Sequence, residues 1–296
     1  MSDVIASPST RRKALQKGVD IDARARELGR TTLGPEDLGA PATAAAAPAE
    51  QAGDTSYWDV DHAAYGPVRE ELMSRFAQVA ARNLGAANAL IPQVTHHDRA
   101  DLSAIEELRR AWRDEAQARG VRLTALAFHV MALARCLRDF PRFNASLSAD
   151  GNTLVLKDYV HVGIAVDTPH GLMVPVIRDA DRKGLWQLST EITDLAARAH
   201  ARKIAPNDMG GASMTISNLG GIGGIGFTPI VNPPELAILG ITRTQTVTLW
   251  DGDIPRPVPM VPLDLSYDHR VINGADAARF MARLVGRIAE PRNLIT

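Results

Sequence analysis

His269 stands in Ser266-Tyr267-Asp268-His269-Arg270-Val271-Ile272-Asn273-Gly274, and what surrounds it suits a general base. Apolar residues follow at helical spacing, with Asn273 as N-cap and Asp276 three residues on. The positive end of that helix favours the neutral imidazole, the form a base must have. Ser217 closes a strand-like run at Ser217-Asn218-Leu219-Gly220, which leaves its hydroxyl free to face a ligand. Each residue also has a structural reading. A lone histidine is more often a satisfied structural group. A serine in a turn bonds its own backbone, and Asn273 serves as a cap whether or not it does chemistry. Taken together the three allow His-based acyl transfer, with a Ser donor for an oxyanion and an acyl group that these residues do not identify.

Other chemistries fit less well. Gly221-Ile222-Gly223-Gly224-Ile225-Gly226 spells a dinucleotide fingerprint, but Pro229, Pro233 and Pro234 follow where a helix would have to open. A glycine turn permitting close backbone approach is the better reading. His96 and His97 are adjacent and point to opposite faces of an extended chain, and no His/Cys cluster has metal spacing. Gly-x-Ser-x-Gly is absent.

The elements that must hold these residues can be read from periodicity. Val261, Leu263, Leu265 and Tyr267 alternate with Pro262, Asp264, Ser266 and Asp268, the period of a half-buried strand. Ala277, Phe280, Met281, Leu284 and Ile288 form one helix face that ends before Pro291. Helices are also predicted over 68–84, from a Ser103/Glu106 capping box, over 123–140, and around Leu185–Leu195. Strands are predicted at 153–157, 159–167, 172–177, 213–217, 236–241 and 244–249, so the expected class is α/β around one mixed sheet.

The 296 residues carry a net charge of −1, which gives no basic field for nucleic acid. One cysteine, Cys136, fits a reducing compartment and sits in an apolar helical run as a small core residue. No signal-peptide pattern or membrane-length apolar run occurs, so a cytoplasmic protein is expected. Residues 1–40 read as a small unit with Arg11, Arg12, Lys13 and Lys17 on its first helix. That unit opens with a capped helix after Ser7-Pro8, and a second short helix is expected after Gly34-Pro35. The Ala/Pro-rich stretch 41–56 reads as a linker, and residues 57–296 as the main domain.

Asp268-His269-Arg270-Val271-Ile272-Asn273-Gly274, together with Phe143-Asn144-Ala145-Ser146, Val162–Pro169, Gly171–Ile177, Thr215–Gly220 and Pro229–Asn232, closely resembles the dihydrolipoyl acyltransferases. These are the core subunits of 2-oxo-acid dehydrogenase complexes. The resemblance runs over residues 60–296 and is strongest to the pyruvate, or acetyltransferase, branch. Residues 5–38 are more loosely similar to the family's peripheral-subunit-binding domain. The resemblance implies a chloramphenicol acetyltransferase-like two-layer sandwich, assembled as trimers and in turn as a cubic core, with Leu294-Ile295 as a hydrophobic knob between trimers. It implies that His269 takes the thiol proton of coenzyme A or dihydrolipoamide. Ser217, from the neighbouring subunit, would then donate to the tetrahedral oxyanion, at a cost of about 3–4 kcal/mol when such a donor is lost. Arg109 would lie near the phosphates of coenzyme A, and Asp167 and Arg270 would form a structural ion pair. No metal is implied. The 2-oxo-acid decarboxylase and dihydrolipoyl dehydrogenase subunits are the partners implied for residues 1–40.

Two departures stand out. Asn273 replaces the Asp of many relatives. No lipoyl domain is visible: the five lysines, Lys13, Lys17, Lys157, Lys183 and Lys203, lie outside any Asp-Lys-Ala tripeptide, so the swinging arm is on another polypeptide, or the chain is truncated or an atypical subunit, and acyl groups are expected from lipoyl domains in trans. A mainly structural scaffold subunit, a 2-oxoglutarate or branched-chain acyltransferase, and a detoxifying acetyltransferase are the competing readings.

Overall fold

A computed structural model describes residues 4–35, 37–38 and 58–295. The chain divides into two compact units, Met1–Glu71 and Leu72–Thr296. In the first, β1 (Ile5–Ala6) leads into α1 (Pro8–Gln16), whose N-cap Ser7 accepts from the Thr10 N–H. After an extended Asp20 comes α2 (Ile21–Leu28), which the Asp20 carboxylate opens by accepting from the Asp22 and Ala23 N–H groups. β2 (Thr32–Leu33) pairs in parallel with β1. The second short helix expected after Gly34 is not found among the described residues there, and the unit's second helix is α2. The described residues of 34–38 form a turn in which Asp37 accepts from the Gly34 N–H and pairs with Arg30. The expected linker 41–56 lies outside the described residues.

The second unit opens with α3 (Arg75–Leu90). It starts later than the 68–84 expected, because Ser74 supplies the cap by accepting from the Ala77 N–H. Pro92 then ends it. β3 (Gln93–Asp101) follows, a strand that its polar residues concealed. α4 (Ser103–Ala111) begins where predicted, but Asp101 rather than Ser103 serves its first turn, taking the Ser103 N–H at 2.7 Å. In order come α5 (Arg113–Ala118), α6 (Ala125–Asp139), the hairpin of β4 (Ala145–Leu147) and β5 (Leu154–Leu156), β6 (Val162–Ala165) and β7 (Val176–Ile177). The chain continues through α7 (Leu185–His200), β8 (Met214–Asn218), β9 (Ala237–Ile241), β10 (Gln245–Asp251) and β11 (Ile254–Asp268). It closes with α8 (Gly274–Ala289) and α9 (Arg292–Ile295).

The main sheet runs β10-β11-β9-β8-β6-β7, with β3 also paired to β11. β8 is parallel to both β6 and β9, and the other pairings are antiparallel. The sheet is therefore mixed and the class is α/β, as expected. Leu263, Leu265 and Tyr267 of β11, Leu239 and Ile241 of β9 and Ile216 of β8 belong to one core with the buried faces of α4, α6, α7 and α8. Phe143 stacks on Phe280 at 4.2 Å within it. Cys136 is fully buried there, and burial pushes its thiol up to about 12, so it is a core residue and not a nucleophile.

The opposite face of the sheet differs from the half-buried strand expected. Asp264, Ser266 and Asp268 are each only 1% exposed. They lie under chain segments rather than in water, and each is satisfied: Asp264 by His97, Ser266 by Thr95 at 2.7 Å, Asp268 by Arg270. Among the described residues no helix is long and apolar enough to cross a membrane.

Candidate active site

His269 sits one residue beyond β11, in a turn whose backbone is fixed. Its N–H donates to Pro92 O at 3.0 Å, and Asp268 N–H donates to Leu236 O at 2.9 Å. The buried Asp268 carboxylate then takes the Arg270 backbone N–H at 3.0 Å and its guanidinium at 2.6–3.1 Å. A charge-assisted fork of this kind holds a three-residue turn rigidly. The imidazole between the two is exposed, with its ring 5.8 Å from that of the buried Tyr267. Among the described residues no hydrogen bond reaches it.

Asn273 caps α8: its Oδ1 accepts from the Asp276 N–H at 2.9 Å. Its carbonyl side is thus engaged with the helix and not with His269. Ser217 lies near the end of β8, half-buried, and among the described residues its hydroxyl has no partner. Asn218, not Ser217, closes the turn by accepting from the Gly220 N–H at 2.9 Å.

The sheet register keeps Ser217 and His269 of one chain apart. Ser217 pairs with Gly240, and Gly240 pairs with Asp264. His269 lies five residues further along β11, roughly 17 Å at about 3.4 Å per residue, and two strand spacings of about 4.8 Å across. Asp167 belongs to the Ser217 end, because Ala165 is the register partner of Ser217. The expected Asp167–Arg270 ion pair is accordingly not made within the chain. Arg270 pairs with its near neighbour Asp268 instead, while Asp167 is exposed. The sequence contained Asp268, but nothing in it says which of two acids an arginine will reach.

Arg109 is held on α4 by Glu106 at 2.5 Å and by Leu123 O at 3.1 Å. It lines an open groove of about 580 Å³ together with Arg110, Arg113 and Arg122. Such a groove suits a polyanion, and three of its four arginines were not singled out from the sequence. Among the described residues no His/Cys/Asp/Glu cluster could hold a metal ion. A further carboxyl, Glu235, is buried with Thr215 Oγ1 donating to its Oε1 at 2.9 Å, and burial raises it to about 7.

Residues 65–296 match the 2-oxoacid dehydrogenases acyltransferase (catalytic domain). The chain belongs to this acyltransferase family. It is 49% identical over 237 residues to a Pseudomonas aeruginosa protein, the dihydrolipoyllysine-residue acetyltransferase component of pyruvate dehydrogenase complex, covering 80% of this chain and 43% of that one. It is 43% identical over 301 residues to the Azotobacter vinelandii protein of the same name, covering 99% of this chain and 47% of that one. The chain thus spans about half the length of these relatives. Among solved structures, Azotobacter vinelandii dihydrolipoamide acetyltransferase is similar with a TM-score of 0.78 and 47% identity, over 80% of this chain and 98% of that one. The cubic core of a pyruvate dehydrogenase multienzyme complex is similar to the same degree.

Proposed function

We propose that this chain transfers an acyl group, preferentially acetyl, between coenzyme A and the dihydrolipoyl group of a lipoyl domain. The observation that carries the reading is the rigid turn that presents His269: backbone and flanking side chains are tied down while the imidazole is left unpartnered. Ser217, His269 and Asn273 stand 52 and 4 residues apart, and the serine, histidine and asparagine studied in the catalytic mechanism of the Azotobacter vinelandii enzyme stand at the same intervals.

In this reading His269 accepts the proton of the incoming thiol, which is mostly protonated at neutral pH. The sulfur forms a bond to the thioester carbonyl carbon, and the carbonyl oxygen becomes an oxyanion. The Ser217 hydroxyl donates to that oxyanion. Collapse breaks the original carbon–sulfur bond, and imidazolium His269 returns its proton to the departing thiolate. The register separation supports a Ser217 supplied by a second copy, in keeping with a trimer. Arg109, fixed by Glu106, faces the coenzyme A phosphates as a rigid cation. Asn273 serves mainly as the cap of α8. Asp167 and Arg270 act as supports of the two halves of the site. Residues 1–40, joined by a linker at 41–56 to a catalytic domain at 57–296, bind decarboxylase or dihydrolipoyl dehydrogenase subunits, with Arg11, Arg12 and Lys13 exposed for that purpose.

The test is steady-state transfer from acetyl-, succinyl- and branched acyl-coenzyme A to dihydrolipoamide. Acetyl transfer is expected to dominate and to be lost in His269→Ala. An undiminished rate in that variant would overturn the mechanism. A succinyl or branched preference would move the chain to another branch of the family.

A further inference from the structure

A histidine–carboxylate pair lies on the same register row as Ser217. Following that row across the sheet gives Ser217 of β8, Gly240 of β9, Asp264 of β11 and His97 of β3. Residues in register on neighbouring strands project to the same face, so Ser217, Asp264 and His97 share one. Asp264 is 1% exposed, and its carboxylate has two donors: His97 Nδ1 at 2.6 Å on Oδ1, and the Phe227 N–H at 3.1 Å on Oδ2. A buried carboxylate with two such bonds is a strong anchor.

What it anchors is the glycine-rich loop. Its Ile222 and Ile225 side chains are 69% and 80% exposed, so burial of these large residues does little to hold it. Arg243, donating to Ile222 O at 2.6 Å, and Asn218, accepting from the Gly220 N–H at 2.9 Å, are its other side-chain tethers among the described residues. Phe227 ends the loop, and its ring packs against the sheet at Gly240. A Cβ on Gly240 would stand 2.7 Å from one ring carbon and 2.9 Å from the next. The ring therefore rests on the backbone of the strand next to Ser217.

We propose that Asp264 and His97 are positioning residues for the Ser217 hydroxyl: the His97-held carboxylate ties down Phe227, and the Phe227 ring fixes the strand and loop that flank Ser217. The proposal rests on the reading of Ser217 as oxyanion donor. Neither residue reaches the reacting atoms. An oxyanion donor acts only in the transition state, so loosening it lowers kcat and leaves substrate binding in place.

The experiment uses the full chain in its native assembly, with Asp264→Ala, Asp264→Asn and His97→Phe. The asparagine can still accept from Phe227 and still bond His97 in its other tautomer. In Asp264→Ala, kcat for acetyl transfer is expected to fall ~10-fold with both KM values within ~2-fold of wild type. His97→Phe, at an exposed side chain, is expected to lower kcat ~3-fold, and Asp264→Asn to recover most of the loss. Hydrogen exchange of amides 220–228 should quicken ~10-fold in the alanine and phenylalanine variants while β8 and β9 stay protected. Unchanged exchange in that loop, or a raised KM at constant kcat, would overturn the proposal. If Asp264→Ala does not fold, His97→Phe decides. If the wild-type chain transfers no acyl group, the functional reading fails, and the exchange measurement still tests whether the carboxylate holds the loop.

Discussion

Asn273 and His269 are four residues apart and should fail in different ways. Asn273→Ala leaves the Asp276 N–H without its acceptor, which costs about 1 kcal/mol of stability. Asn273→Asp keeps an equivalent cap. His269→Ala removes an exposed ring and should leave the denaturation midpoint in place while transfer disappears. Urea denaturation and acetyl-transfer rates on the three variants separate cap from base. Two buried groups away from this turn set the pH response. His129 is 2% exposed with both ring nitrogens unpartnered, and burial, reinforced by the nearby Arg109, lowers it to about 4. Its folded value lies below the unfolded one, so its neutral form is favoured, and stability is lost as pH falls from about 6.5 towards 4. Glu235 has the opposite sign. Its folded value of about 7 lies above the ordinary carboxyl value of 4.5, so it holds a proton that the unfolded chain releases, and stability is lost as pH rises through that interval. Between pH 4.5 and 6.5 the two slopes, each about 1.4 kcal/mol per pH unit, oppose one another. Wild-type stability is expected to carry little net slope from this pair there. Glu235→Gln should make it rise with pH and His129→Leu should make it fall, as read from urea midpoints across the window.

At the scale of elements, the sheet face opposite the helices is the most closely fitted part. Gly240→Ala would place a methyl 2.7 Å from the Phe227 ring and 3.2 Å from Asp264 Cβ. Overpacking of this kind costs about 1–3 kcal/mol, and the denaturation midpoint should drop accordingly. The helices were legible because apolar spacing and caps are local. Asn273 and the face from Ala277 to Ile288 gave α8 almost to the residue, and Leu185 to Leu195 gave the start and apolar face of α7, which runs on to His200. The strand ending at Tyr267 was legible in its period but not in its burial. Polar residues at alternate positions look solvated in sequence, yet Asp264, Ser266 and Asp268 are covered and bonded to side chains up to 171 positions away. β3 escaped notice for the same reason, since Thr95 and His97 complete those polar pairs. The residues of the site were legible by type and motif. Their separation was not, because it follows from strand register, which relates β8 to β11 only through β9.

At the scale of the whole molecule, the proposed sharing of the site between copies would make assembly a condition of activity. If each site takes His269 from one copy and Ser217 from the next, a chain lacking one group still carries the other. Ser217→Ala chains supply the base and His269→Ala chains supply the oxyanion donor. Each variant alone is expected to be strongly impaired, with the His269 change the more severe. When the two are co-expressed in equal amounts and assemble at random around a cyclic trimer, about one interface in four brings an intact His269 against an intact Ser217. Acetyl transfer should then recover to about a quarter of the wild-type rate. Purified variants mixed without exchange of subunits should recover nothing. A double variant carrying both changes on every chain, mixed with wild-type chains, should also leave about a quarter of the interfaces intact, so it measures the random-assembly baseline. If both groups belonged to one chain, every site in the co-expressed single variants would lack one of them, and the recovered rate would be no more than the mean of the two variants alone.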